Sequence, residues 1–182
     1  MVHPRLEELM KYAETQRAGL LAAVAAVPES LRERRPGPDA WSIAEVLEHL
    51  QIVEGGVARL ISRKLERACA AGLGPETETG SLLRSLDRFA LLERGTSMLA
   101  PDFVQPRGTL TAAEAAAALA ESRRALREAL AAGDGLALGA VSAPHVLLGP
   151  LTLYQWVLFV GQHEYRHTIQ IGEIAQQMAA AS

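Results

Sequence analysis

Apolar residues recur every three or four positions along much of the chain, and four stretches hold that rhythm long enough to predict helices. In the first, Leu6, Leu9, Met10, Ala13, Leu20, Val24 and Val27 share a face; Pro4 suits the opening turn and Pro28 stops the run. After "RRPGPDAW", Ser42 and Glu45 have the spacing of a capping box, which predicts the start of a second helix. Its stripe runs Val46, His49 with Leu50, Val53, Val57, Leu60 and Ile61, and it is expected to fray near "AAGLGP". Thr111 with Glu114 repeats the box and opens a third helix, whose inward face holds Ala115, Leu119, Ser122, Leu126 and Leu130 until Gly133 and Gly135 end it. Thr152 with Gln155 opens the fourth, which carries Trp156, Phe159, Val160, Ile171, Ile174 and Met178.

Residues 72–110 read as a long connection, with a short helical piece in "SLLRSLDRFALLERG" and an extended stretch at "APDFVQPRG". The segment "GDGLALGAVSAPHVLLGP" reads as a loop. A link this long between the second and third helices is not a hairpin turn, so those two helices are expected to run parallel. The prediction is an all-α four-helix bundle, up-down-down-up, with residues 1–182 as one domain.

The abundance of Ala, Leu, Glu and Arg supports helices over strands. The net charge is −3 with Lys and Arg scattered, so no basic stripe exists for nucleic acid or an anionic membrane. The longest apolar stretch, "VLLGPLTLYQWVLFVG", is broken by Gly149 and Pro150 and falls short of the ~20 residues of a bilayer span. The opening "MVHPRLEELMKYAE" lacks the apolar core of a signal peptide, and the expected location is cytoplasmic. The single cysteine, Cys69, rules out an intramolecular disulfide and reads as a small buried hydrophobe.

Histidine changes this picture. In "VGQHEYRHTIQIGEI", His163 and His167 stand four apart, so both lie on one helical face about one turn from each other. That face is the core stripe, which continues through Ile171, Ile174 and Met178, and His49 occupies an inward position of the second helix. Three imidazoles buried without partners would cost ~1–3 kcal/mol for each unsatisfied group. A divalent cation removes that cost: neutral imidazole suits zinc, nickel, copper or iron, and three nitrogens leave coordination positions open. A purely structural zinc site closes all four positions, often with Cys, and no suitable cysteine is present. His3 and His145 fall outside the helical pattern; His3 is expected in solvent and His145 in the loop before the fourth helix.

The segments "DAWSIAEVLEHLQIVEGG" and "LGPLTLYQWVLFVGQHEYRHTIQIGEI" resemble the second- and fourth-helix signatures of the DinB/YfiT-like superfamily, with His49, His163 and His167 at its ligand positions. The resemblance implies an up-down-down-up bundle, a nickel or zinc ion on the three histidines, and homodimers. It also implies a reaction: a low-molecular-weight thiol of the bacillithiol, mycothiol or glutathione type, activated at the metal and transferred to an electrophilic substrate. The alternatives it leaves are a metal-dependent hydrolase and a non-catalytic metal-binding or small-ligand-binding stress-response bundle. Trp41 is expected to pack at the helix entrance, and Glu164 and Arg166 to point away from the ligand face into surface or interface roles.

Overall fold

A computed structural model describes residues 1–92 and 100–180. Four long helices form where the apolar rhythm places them: α1 (Pro4–Ala25), α2 (Ile43–Ala70), α3 (Ala112–Ala131) and α4 (Leu153–Ala180). Their starts follow from local chemistry. Ser42 and Thr111 each accept from the backbone N–H three residues on, and Glu45 and Glu114 return the bond, so both capping boxes are complete. Thr152 and Gln155 make the same reciprocal pair at α4, at 3.2 and 3.0 Å. Gly72 ends the turn after α2 with φ +85, a conformation that side chains with a Cβ rarely adopt.

Two apolar clusters fix the helix directions. The first joins Leu6 and Leu9 of α1, Ile61 and Leu65 of α2, Leu126 and Leu130 of α3, and Leu153 and Val157 of α4. The second joins Leu20 and Val24, Ile43 and Val46, Ala115 and Leu119, and Ile174 and Met178. One end of the bundle therefore gathers the starts of α1 and α4 with the ends of α2 and α3. The bundle is up-down-down-up, with α1 beside α4 and α2 beside α3 as parallel neighbours. The α1–α4 approach is close: a Cβ added at Gly161 would stand 2.8 Å from the Tyr12 ring.

Between the two clusters lies an ionic layer with one residue from each helix. Arg17 follows Ala13 and precedes Leu20; Glu54, Arg123 and Glu164 occupy the corresponding breaks in the other stripes. Arg17 Nη2 reaches Glu54 Oε2 at 2.7 Å and Glu164 Oε1 at 2.5 Å. Arg123 donates from Nε to Glu54 Oε1 at 2.5 Å and from Nη2 to Glu164 Oε1 at 2.9 Å. Ser122 Oγ also donates to Glu54, at 2.6 Å. Glu164 is thus a core residue, 1% exposed, rather than the surface group its place beside His163 suggested.

Three connections and one residue of α2 differ from expectation. The segment before α4 is not plain loop: β1 (Ser142–His145) pairs antiparallel with β2 (Gly149–Thr152), and Gly149, at φ +76, turns the hairpin. The predicted helical piece is reduced to a 3₁₀ turn at Asp87–Phe89, and its last residues, 93–95, lie outside the described residues. The predicted extended stretch contains a second 3₁₀ turn, Asp102–Val104, before the backbone extends at Gln105. Cys69 is exposed, because the end of α2 turns that face to solvent. No described helix is long and apolar enough to cross a membrane.

Candidate metal centre

α2 and α4 bring the three predicted histidines together. His49 Nε2 stands 3.2 Å from His163 Nε2, and His167 Nε2 stands 3.1 Å from the same atom. All three nitrogens lie within 4.8 Å of one another. The other ring nitrogens decide their protonation. His49 Nδ1 lies 2.7 Å from the Val104 carbonyl, which accepts only, so Nδ1 carries the proton and Nε2 keeps a lone pair. His167 Nδ1 is held the same way, 2.7 Å from Gln170 Oε1.

Two lone pairs therefore converge on a third imidazole in a small space, and a single N–H of His163 cannot bridge both. A cation with open coordination positions resolves the conflict; the donor set of three neutral nitrogens fits a divalent transition ion. Val104 and Gln170 fill the outer positions that fix the tautomer and orientation of metal-binding imidazoles elsewhere. Burial pushes His49 below the ordinary histidine pKa, despite its bond to Val104. His163 is pushed well down, first by burial and then by the neighbouring imidazoles. Both shifts favour the unprotonated form that ligation requires.

The histidines lie along a cleft of about 870 Å³. Its walls come from α2 and α4, its rim from the 72–110 connection (Leu91, Phe103, Val104) and from the hairpin (His145 to Leu148). Trp41 does more than seal the entrance of α2: its ring lies 5.0 Å from that of His49 and 6.4 Å from that of His167. Phe159 stacks on His163 at 5.2 Å. Arg166 lines the cleft too, contrary to the outward role expected of it. His3 is remote from the site, its backbone N–H donating to Asp134 at the far end of the bundle.

Comparisons with known proteins give the family and the fold. The family model described as the DinB superfamily matches residues 12–171, which span all three histidines and most of the bundle. The chain belongs to the DinB superfamily. Among relatives of this DinB-superfamily chain is the uncharacterized protein YuaE of Bacillus subtilis (strain 168), 27% identical over 149 residues, covering 81% of this chain and 85% of that one. A solved structure described as TT2238, a four-helix bundle protein, superposes with a TM-score of 0.57 over 92% of this chain and 98% of that one, at 23% identity. That likeness supports the bundle fold.

Sequence reasoning missed three contributors to this DinB-superfamily site. Val104 acts through its carbonyl, so its side chain carries no signal. Gln170 stands three residues after His167, where a helix brings its amide back to the ring, and that spacing was legible. The ionic layer beneath the site was legible as well, as a charged residue in each core stripe.

Proposed function

We propose that this DinB-superfamily chain is a metal-dependent transferase, in which His49, His163 and His167 hold a nickel or zinc ion and the cleft receives a low-molecular-weight thiol with its electrophilic partner. The observation that carries the reading is the convergence of three Nε2 atoms, with the outer nitrogens of His49 and His167 committed to Val104 and Gln170, at the base of an open cleft. Bound there, a divalent cation favours the thiolate form of a sulfur ligand at neutral pH, and so supplies the nucleophile without a catalytic cysteine.

The chain's own residues do the rest. Val104 and Gln170 hold the rings in register, so the three donors need little rearrangement on binding. Trp41 and Phe159 cover the rings with apolar surface and keep bulk water from that side. Cys69 lines a separate groove between α2 and α3 and takes no part. A homodimer as the working unit belongs to the same proposal and is read out by sedimentation.

The test is a panel of thiols (glutathione, bacillithiol, mycothiol) against 1-chloro-2,4-dinitrobenzene, with metal-loaded and chelator-treated protein. Turnover with at least one thiol, lost on chelation and restored by nickel or zinc, supports the transferase. Metal-loaded protein that neither turns over nor binds any of the thiols overturns it.

A further inference from the structure

The hairpin before α4 places a fourth imidazole on the cleft. His145 Nδ1 accepts from two backbone amides at the hairpin tip, those of Leu147 at 3.2 Å and Leu148 at 3.3 Å. Those two donors occupy the Nδ1 lone pair, so the proton of the neutral ring sits on Nε2. A second proton at Nδ1 would face both amides, and burial also holds His145 below the ordinary histidine pKa. The ring is clamped by aromatic faces, 5.1 Å from Trp156 and 4.7 Å from Phe159. Phe159 in turn stacks on His163, so the fourth imidazole stands one ring away from the metal-binding set.

The Nε2–H has no hydrogen-bond partner among the described residues, and it is not fully buried. It retains access to the cleft that His145 lines. The donor's own neighbours are apolar, although Asp39, Arg59, Arg166 and Glu173 also line the cleft: the ring sits against Trp156 and Phe159, Phe103, Val146 and Leu147 are 70%, 65% and 55% exposed, and Leu60 and Leu148 line the wall. Soluble chains seldom leave large apolar side chains grouped in solvent without a ligand or partner to cover them. Clefts for small molecules combine an apolar lining with a few placed polar groups, and about 870 Å³ suits a molecule of two or more rings.

We propose that the cleft binds an apolar, ring-bearing or long-chain molecule carrying one acceptor oxygen, a carbonyl, quinone or epoxide, and that His145 Nε2–H donates to that oxygen. The donor holds the acceptor oxygen one aromatic ring from His163 and withdraws electron density from the carbon it is bonded to. This assignment rests on reading the cleft as the functional site, and it names the class of the electrophilic partner. It does not depend on the thiol.

Benzophenone and diphenylmethane have matched shape and differ in the carbonyl, so their binding to the full chain separates the donor from the apolar wall. Both are titrated calorimetrically, without thiol, into the metal-loaded wild type and into His145→Phe, which keeps an aromatic ring and removes the N–H. The preference for benzophenone over diphenylmethane is expected to be about 3- to 10-fold greater in the wild type than in the variant, the loss that accompanies one net hydrogen bond. Diphenylmethane should bind both proteins alike. In long-range ¹H–¹⁵N spectra of the wild type, His145 should be the Nε2–H tautomer, its Nε2 resonance moving with benzophenone and staying put with diphenylmethane. If the variant folds poorly and loses both ligands, that spectrum decides alone. An unchanged preference, an Nδ1–H tautomer, or failure of both ligands to bind overturns the assignment. Binding as expected in a metal-loaded protein that neither binds nor turns over any of the thiols refutes the transferase and leaves His145 as the donor.

Discussion

Replacing Glu54 by Gln removes one negative charge from the buried ionic layer while keeping the size of the side chain. In the wild type its two oxygens accept from Arg17 at 2.7 Å, Arg123 at 2.5 Å and Ser122 at 2.6 Å, and all of these groups are buried. The variant leaves two guanidinium groups with Glu164 as their one buried carboxylate, since Glu14, 3.6 Å from Arg123, is partly exposed, and it turns an amide N–H₂ towards donors. Breaking a buried pair from one side costs about 3–5 kcal/mol, because the abandoned charge has no water to return to. For a domain of this length that corresponds to a fall in Tm of about 6–20 °C. Urea denaturation followed by far-UV circular dichroism gives the free energy directly. Glu54→Gln should lose at least 3 kcal/mol, with the loss nearly independent of salt between low and moderate ionic strength. Adding Arg123→Met should recover part of it, since the double variant restores the balance of one Arg with one carboxylate. A single variant that loses under 1 kcal/mol, or a double variant worse than the sum of its parts, would refute the buried network.

Three further outcomes follow from packing, capping and charge. Gly161→Ala should destabilise by about 1–3 kcal/mol despite the better helix propensity of Ala, because the new methyl meets the Tyr12 ring at 2.8 Å; Tyr12→Ala in the same background should relieve part of that loss in urea titrations. Ser42→Ala removes the hydroxyl of the α2 capping box and should cost about 1 kcal/mol by the same assay. Burial raises the Glu45 carboxyl, but the Arg35 ion pair and the Ser42 amide outweigh it and hold the folded pKa below the ordinary value. A depressed carboxylate stabilises the fold above the unfolded pKa, about 4.3, and loses that contribution as pH falls through the folded value. The stability gap between wild type and Glu45→Gln should therefore be constant from pH 5 to 7 and shrink below about pH 4.

Much of the fold was legible because three capping boxes and four helical stripes agree with one another. The up-down-down-up order followed from the length of the 72–110 connection alone. Charges inside the stripes were the neglected signal: Arg17, Glu54, Arg123 and Glu164 each fall at three- or four-residue spacing from core residues on their own helix, with signs that balance across helices. Reading Glu164 outward took the two histidines as the centre of the inward face. The face is wider than that, with Val160, Glu164 and Ile171 on one side of it and His163 and His167 towards the cleft. The histidine set itself was visible from spacing, since a four-residue step on α4 and one inward position on α2 suffice to bring three rings together. The hairpin was not visible, because "SAPH" and "GPLT" are too short to show alternation, and each contains a proline that a sheet interior would exclude. An isolated two-stranded ribbon tolerates them at its edges, and that ribbon is what carries His145 to the cleft.

The central claim is that His49, His163 and His167 together hold a metal ion, and metal content measures it most directly. Wild-type protein and His163→Ala, both dialysed against nickel or zinc and freed of loosely bound ion, are analysed by plasma mass spectrometry, with circular dichroism as the check on folding. The account predicts about one ion per wild-type chain, and in a folded His163→Ala a loss of at least 10-fold in affinity, since a third of the ligand set is gone. A folded His163→Ala that keeps its full metal content at wild-type affinity would contradict it.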